Sequence, residues 1–455
     1  MEKTTKYSHR FLARIVLETL SPLSVGAGEK DVMTDHIVAR DVNGFPYIPG
    51  TAIAGILRHA MEEKLPQSFF GAHEENGSEI IFSSAFPVAD GGAVIEGIYE
   101  GKETEYLKFL RSQLVRQHVR INERGTTDTG GKFDGEVVNK GARFCFEIEM
   151  VSENTDKQAL FEEVISKMAS CSFRIGSGTR SGYGEVKIVE CKVEYLDLRQ
   201  EHDLNAYLAK SSALNDKFWD ALTPRTITPP DLAHWIEYKL TLKPDDFFLF
   251  GSGFGNENAD MTPVVETTIR WNGEKPELEE RNILIPGSSV KGALSHRTAY
   301  YFNKNNGRFV ENQAGKSGNE NEAVRELFGY VEEGQSDNQA VRGNVIISDV
   351  IQQIVEQTKI LNHVAIDRFT GGAIDGALFT EEVIYSEKEF ELTIYVHSAV
   401  DVNHISEEEI KKTPLGAFEC ALRDVANGML PLGGGVNRGH GCFSGTVFRN
   451  GKPLN

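Results

Sequence analysis

Cysteine is scarce in this chain and falls into no pattern. The five residues, Cys145, Cys171, Cys191, Cys420 and Cys442, include no Cys-x-x-Cys pair, which excludes a disulfide framework and a cysteine-ligated zinc site and leaves reduced, structural thiols as the expectation. No His-x-x-x-His spacing occurs, so zinc-hydrolase chemistry is disfavoured as well. Long apolar runs are missing, and Met1 to Arg10 is polar with no apolar stretch behind it. Neither a membrane span nor a secretory leader is expected, and the expected location is cytoplasmic. Positive charge is in deficit: 48 Lys and Arg face 67 Asp and Glu, a net of -19. Taken as a sum this counts against a nucleic-acid partner, because non-specific affinity for phosphate comes from Lys and Arg. A sum says nothing of distribution, and a basic groove can sit on an acidic body. The acidic clusters Glu74-Glu75, Glu279-Glu280 and Glu407 to Glu409 then read as solvated faces or contacts to partner proteins.

What is present is a doubled pattern. Ile48-Pro-Gly-Thr-Ala-Ile-Ala-Gly-Ile-Leu57 returns as Ile285-Pro-Gly-Ser-Ser-Val-Lys-Gly-Ala-Leu294. Each copy sets a Pro-Gly turn before a hydroxyl residue suited to a helix N-cap, and apolar residues at helical spacing follow. In the first copy Ile53, Ile56, Leu57, Ala60 and Met61 mark the stripe to be buried. A helix start presents unpaired N–H groups and suits an anion such as phosphate. Ser288, Ser289 and Lys291 add donors and a charge there in the second copy, whereas the first offers Thr51 and no lysine.

Around these turns both halves run in one order. A strand (Arg14 to Thr19; Tyr238 to Leu242) leads to a glycine-bearing loop, then to an isolated aspartate, Asp35 or Asp260, before the Pro-Gly helix. Short strands follow at Ile80 to Ser84 and Val345 to Asp349, then hairpin patterns that start at His118 and His363, strands at Phe144 to Met150 and Phe390 to Val396, and helices at Gln158 to Met168 and Leu415 to Ala426. Glycine-rich loops, Gly176 to Gly184 and Gly433 to Gly441, close each half and lead into a last strand. The repetition predicts an α+β protein of two tandem ferredoxin-like or RRM-like domains, each with an inserted β-hairpin, over 1–200 and 236–455. A polar linker, 201–235, joins them; it is expected to be helical near Leu204 to Trp219 and ends in Pro224, Pro229 and Pro230.

The Ile-Pro-Gly-Ser-Ser-x-Lys-Gly turn, the His363-Val-Ala-Ile-Asp-Arg368 hairpin start and the closing glycine loop together resemble the RAMP superfamily. Within it they resemble the guide-RNA-binding backbone subunits of type III CRISPR effector complexes, here two in one chain. The resemblance covers nearly the whole chain. It implies a palm that grips guide-RNA backbone, a thumb hairpin that splays bases, and an aspartate-bearing loop where complementary target RNA is cut with a divalent metal, Mg²⁺ by expectation. It also implies the other effector subunits as partners, and no membrane. Asp35 and Asp260 are the positions that correspond, as catalytic groups and as metal ligands.

RNA can be cut by its own 2'-OH, so one carboxylate per site is enough, acting as a base or holding a hydrated ion. Arg58 and His59, with His296 and Arg297, lie just beyond the repeated glycines Gly55 and Gly292 and read either as phosphate contacts or as solvated helix positions. Arg174, Arg180 and Arg438 sit in or near the glycine loops, which lack a Gly-Lys-Ser/Thr ending and precede strands. Backbone N–H groups approaching RNA phosphate fit them better than a mononucleotide does. Lys132 with Phe133 in the first hairpin, and Ile374, Leu378 and Phe379 in the second, suit wedging or stacking on bases or docking on a neighbouring subunit, and Arg368 at the second hairpin's start reads as an RNA contact. Two other readings stay open: the same subunit with inactive sites, and a guide-processing endoribonuclease that relies on His59 or His296.

Overall fold

The structure, a computed structural model, describes residues 7–28, 34–61, 65, 67–71, 77–122, 125–230, 234–309, 315–332, 339–353, 357–399 and 405–454. Glu74-Glu75 and the first six residues lie outside that set. The first half runs β1 (His9–Thr19), α1 (Gly50–Met61), β2 (Ile80–Phe82), β3 (Phe86–Pro87), α2 (Glu105–Arg111), β4 (Leu114–Ile121), β5 (Thr127–Val137), β6 (Arg143–Ser152), α3 (Gln158–Lys167) and β7 (Val186–Asp197). After α4 (Glu201–Ala209) come β8 (Trp235–Pro244), β9 (Val265–Asn272), β10 (Lys275–Ile285), α5 (Gly287–Asn305), α6 (Glu322–Phe328), β11 (Gly329–Glu332) and β12 (Gln339–Arg342). The chain ends with β13 (Val345–Ile347), β14 (Val350–Gln353), β15 (Gln357–Ile366), β16 (Ala373–Tyr385), β17 (Phe390–His397), α7 (Glu407–Lys411), α8 (Pro414–Ala426), β18 (Phe443–Arg449) and β19 (Lys452–Pro453).

Two antiparallel sheets form the cores, ordered β2-β6-β1-β7 and β13-β17-β8-β18-β19, with β3 also on β6. Four strands keep the same order in both, with a helix after the first strand (α1, α5) and another after the third (α3, α8). That is the ferredoxin-like arrangement, twice. The thumbs are β4–β5 and β15–β16, each a two-stranded hairpin apart from its sheet.

Burial explains why the first strands of the two halves read differently. β8 alternates buried and part-exposed residues because one face packs on helices. β1 is buried on both faces, and its stretch from Phe11 to Leu17 is apolar apart from Arg14, which donates to Leu214 O and Glu190 Oε1. Phe11, Ala13, Ile15 and Leu17 join the main core, whereas Leu12 packs on Leu196 and Trp219 and Val16 lies with Val88, Val94 and Leu214. The expected linker therefore supplies a cover for the open face of the first sheet. Trp219 Nε1 and Lys210 Nζ both donate to Glu147, at 2.6 and 2.7 Å. The single helix expected near Leu204 to Trp219 is instead α4 and a separate 3-10 turn, Lys217–Ala221. Asp216 breaks it by accepting from Ser211 behind and capping Phe218 N–H ahead.

The sequence pattern did not reveal the β9–β10 hairpin, which is inserted between Asp260 and the second Pro-Gly turn and explains the longer spacing there. It reaches back onto the first half. Trp271 Nε1 donates to Gly141 O at 2.7 Å, Ile269 N donates to Lys140 O at 2.9 Å, and the Arg143 guanidinium lies 4.2 Å from the Trp271 ring centroid. Gly141 has φ +90°, and a Cβ there would fall 1.8 Å from Ile269 O, so this approach requires glycine. Trp271→Ala should lower stability by about 2–3 kcal/mol, below the loss for a fully buried tryptophan because Trp271 is half-buried. Urea denaturation checks the size, and faster amide exchange at Ile269 checks the place.

Both Pro-Gly helices begin at the glycine, not at the hydroxyl residue expected as N-cap. Gly50 and Gly287 pack against strand backbone; a Cβ on Gly50 would meet Phe82 O at 2.3 Å, and one on Gly287 would meet Ile347 O at 2.9 Å. Thr51 and Ser288 are thereby moved into the first turn, and Thr51 is exposed there. Ala60 is also exposed, which narrows the buried stripe of α1 to Gly50, Ile53, Leu57 and Met61. No described helix is long and apolar enough to cross a membrane, and all five cysteines are free.

Candidate functional site

The two aspartates occupy matching places. Asp35 N–H donates to Asp134 Oδ1 at 3.0 Å, and Asp134 N–H donates back to Asp35 Oδ2 at 3.2 Å. Asp260 N–H donates to Thr380 Oγ1 at 3.0 Å, while Thr380 N–H and Oγ1–H donate to Asp260 Oδ2 at 2.8 and 2.9 Å. Asp134 and Thr380 each follow the phenylalanine that pairs with the thumb histidine, His118↔Phe133 and His363↔Phe379. Each aspartate is exposed and braced against the second strand of its thumb. Bonds donated by Thr380 favour the charged carboxylate and hold Asp260 below the usual aspartate range.

The thumb bases are built on stacked pairs. His118 lies on Phe133 with centroids 5.0 Å apart, and His363 on Phe379 at 4.8 Å. Phe133 and Phe379 are thus committed to histidines, while Leu378 and Ile374 remain outward and Leu378 is 68% exposed. Burial, then the Arg116 charge, push the His118 imidazole down and keep it neutral, hydrogen-bonded to Tyr183 Oη at 2.8 Å. Lys132 is exposed on β5 and Arg368 exposed at the tip of the second thumb.

A third feature lies at the junction of the halves. The first glycine loop runs into the second Pro-Gly turn, with Gly182 bridged to Ser348 and Gly287 N–H donating to Asp349 Oδ1 at 2.7 Å. Four cations converge here. Arg174 is only 2% exposed; its Nη2 reaches Ser348 and Glu185. Arg180 is pushed down to about 9 by burial first, then by Arg342 and Arg174. Burial and Arg180 likewise lower Lys291, and burial lowers Arg342. Among the described residues no hydrogen-bond partner reaches Arg174 Nη1 or Arg180 Nε and Nη1. Glu185 is the acid paired with this group. Buried guanidinium N–H groups left without acceptors are costly, and an incoming anion relieves them.

The other candidates divide. Ser288 is half-buried and Ser289 exposed beside the junction on α5. His59 is exposed and His296 half-buried, each away from the aspartate of its half by sequence and element. Three arginines are engaged within the chain: Arg58 donates to Phe70 O and Gly71 O, Arg297 to Asp424 Oδ2, and Arg438 to Glu381 Oε2. Arg342, in the short strand β12, escaped the sequence reading because it belongs to no repeated motif. Arg116, Glu266, Asp349 and Glu381 escaped it because their meaning comes from partners more distant than any motif spans.

A model of the RAMP superfamily matches residues 16–187 and 246–444, so both halves are covered. Among curated proteins the chain is similar to the CRISPR system Cms endoribonuclease Csm3 of Methanocaldococcus jannaschii, at 25% identity over 243 residues, which is 46% of this chain and 96% of that protein.

Proposed function

This chain belongs to the RAMP superfamily, and from that premise we propose that it is a guide-RNA-binding backbone subunit of a type III CRISPR ribonucleoprotein. We further propose that it cuts complementary target RNA at two places, one at Asp35 and one at Asp260. The similarity to a protein named an endoribonuclease supports the reaction class. The observation that carries the two sites is the shared setting of the aspartates, each exposed and each braced on the residue after a histidine-stacked phenylalanine.

Guide backbone is gripped at the junction cluster, where a phosphate supplies the acceptors that Arg174 and Arg180 lack. Target RNA then pairs with the guide across the thumbs, and the outward residues Ile374 and Leu378 wedge against bases. At each aspartate the ribose 2'-OH attacks the adjacent phosphate, closing a 2',3'-cyclic phosphate as the P–O5' bond breaks and the 5'-oxygen leaves, taking a proton from water. Asp35 and Asp260 are the groups that take the 2'-OH proton, and they would also hold a hydrated ion where one is bound. The donor set suits Mg²⁺ bound mainly through water and phosphate: Asp35 has one further carboxylate, Asp134, beside it, Asp260 has the hydroxyl of Thr380 instead, and there is no group of three or more potential ligands among the described residues. Bound there, such an ion would supply charge stabilisation to the phosphorane.

Cleavage of labelled, guide-complementary RNA by the assembled complex, with Mg²⁺ or EDTA, tests the reading; two products that need metal support it, and no cleavage leaves an RNA-organising scaffold. Thr380 gives a pH test. The Thr380 N–H, and after it the hydroxyl, lower the Asp260 carboxyl, so Thr380→Val, which keeps the N–H bond and removes the hydroxyl's, should move the acid limb of cleavage at Asp260 by a fraction of that shift to higher pH while the limb at Asp35 stays put. Single-turnover rates from pH 4 to 8, resolved by product, show it.

A further inference from the structure

We propose that two separate side-chain clusters, each centred on one buried charged residue and neither of them a contact to RNA, hold the two aspartates in place: Arg116 with Glu266 and Asp349 for Asp35, and Glu381 with Arg438, His363 and His440 for Asp260. Arg116 and Glu381 are then positioning residues. The inference rests on the cleavage reading above.

At the second thumb the Glu381 side chain has no exposure, and it meets Arg438 Nη2 at 2.6 Å, His363 Nε2 at 2.9 Å and His440 Nε2 at 3.5 Å. These partners come from β15 and from the closing glycine loop, so one carboxylate ties the thumb to the palm. Glu381 directly follows Thr380, which carries Asp260. The flanking backbone is tied in as well: Met261 N–H donates to Thr380 O at 3.1 Å and Glu382 N–H to Met261 O at 2.8 Å. Any shift of Glu381 is therefore passed to Asp260 through a hydrogen-bonded segment.

The first thumb has no such group. Gly135 stands where Glu381 does, and in the glycine loop Ser181 and Tyr183 stand where Arg438 and His440 do. The charge has crossed to the other strand of the hairpin. Arg116 pairs with Gly135 across the first thumb, just as Leu361 pairs with Glu381 across the second. Arg116 donates to both oxygens of Glu266, at 2.6 and 2.8 Å, and to Asp349 Oδ2. The three side chains are 5%, 2% and 1% exposed. Both acids belong to the second half, and Asp349 also takes the Gly287 N–H at the start of α5. The site at Asp35 is thus completed by the second repeat, whereas the site at Asp260 is held from within its own.

Conservative variants of the full chain, Arg116→Lys and Glu381→Gln, assembled into the complex, give the test. Product-resolved single-turnover cleavage, target-RNA affinity and hydrogen exchange of the protein are measured together. We expect Glu381→Gln to slow the cut at Asp260 about tenfold and to quicken exchange in 373–385, with target affinity and the cut at Asp35 unchanged. Arg116→Lys should do the converse, slowing the cut at Asp35 and quickening exchange in 114–121 and 127–137. Equal loss of both cuts, affinity falling in step with rate, or unchanged exchange in both thumbs would overturn the proposal. A wild-type complex that makes no aspartate-dependent cut, alongside thumb exchange that responds as expected, would sink the nuclease reading and leave the two clamps standing.

Discussion

Asp35→Ala and Asp260→Ala should each abolish a different product. The product that depends on the replaced residue should form at least about 10²-fold more slowly, the usual scale for a positioned acid–base or metal-holding carboxylate. The other product should form at its wild-type rate, because each aspartate is braced by its own thumb, Asp35 on Asp134 and Asp260 on Thr380. Both side chains are exposed, so alanine costs little stability and the loss reads as chemistry. The double variant should bind target normally and cut nothing. Loss of both products from one substitution would mean that the sites act as one unit, and unchanged products in both variants would leave a scaffold that organises RNA. EDTA should reproduce the double variant in the wild-type complex.

The repeat was the legible part of this fold, because hydrophobic period and turn chemistry are local. The ordered landmarks from Arg14 to Gly184 and from Tyr238 to Gly441 map onto two sheets with one strand order. The asymmetries were not legible. β1 is apolar from Phe11 to Leu17 apart from Arg14 because a polar-looking linker, through Leu214 and Trp219, covers its far face, and nothing in the linker's composition announces that. Asp260 stands farther from its Pro-Gly turn than Asp35 does from its own, yet both take matching places on their thumbs, since the β9–β10 hairpin fills the gap. Arg174, Arg180 and Lys291 were visible one by one as donors near glycine turns. That they form one cluster with Arg342 follows only from the docking of the first glycine loop on the second helix start. Conversely, Arg58, Arg297 and Arg438 looked the same in sequence and turn out to bind carbonyls or carboxylates of the chain itself.

Arg180→Met should separate stability from binding by moving them in opposite directions. In the RNA-free chain Arg180 holds a charge amid Arg174 and Arg342, with Nε and Nη1 unpartnered among the described residues. Methionine fills much of the side chain's volume and removes the poorly partnered charge; it also gives up the guanidinium's place 5.7 Å from the Trp235 ring centroid, so the RNA-free protein should gain no more than about 1 kcal/mol. Guide RNA should bind about tenfold more weakly, and the slope of log affinity against log salt should fall by roughly 0.7, the share of one contact to a single strand. The pH dependence carries the same sign. Since folding lowers this arginine to about 9, the folded state holds its proton less tightly than the unfolded chain, and wild-type stability rises as pH climbs past that value. The advantage of the methionine variant should therefore shrink above about pH 9, by the same linkage. Urea unfolding of the RNA-free proteins at pH 7 and pH 9.5, with guide titrations at several salt concentrations, reads all three. A variant that is both less stable and weaker in binding would mean that Arg180 is a structural residue, and the junction would lose its claim to the guide phosphate.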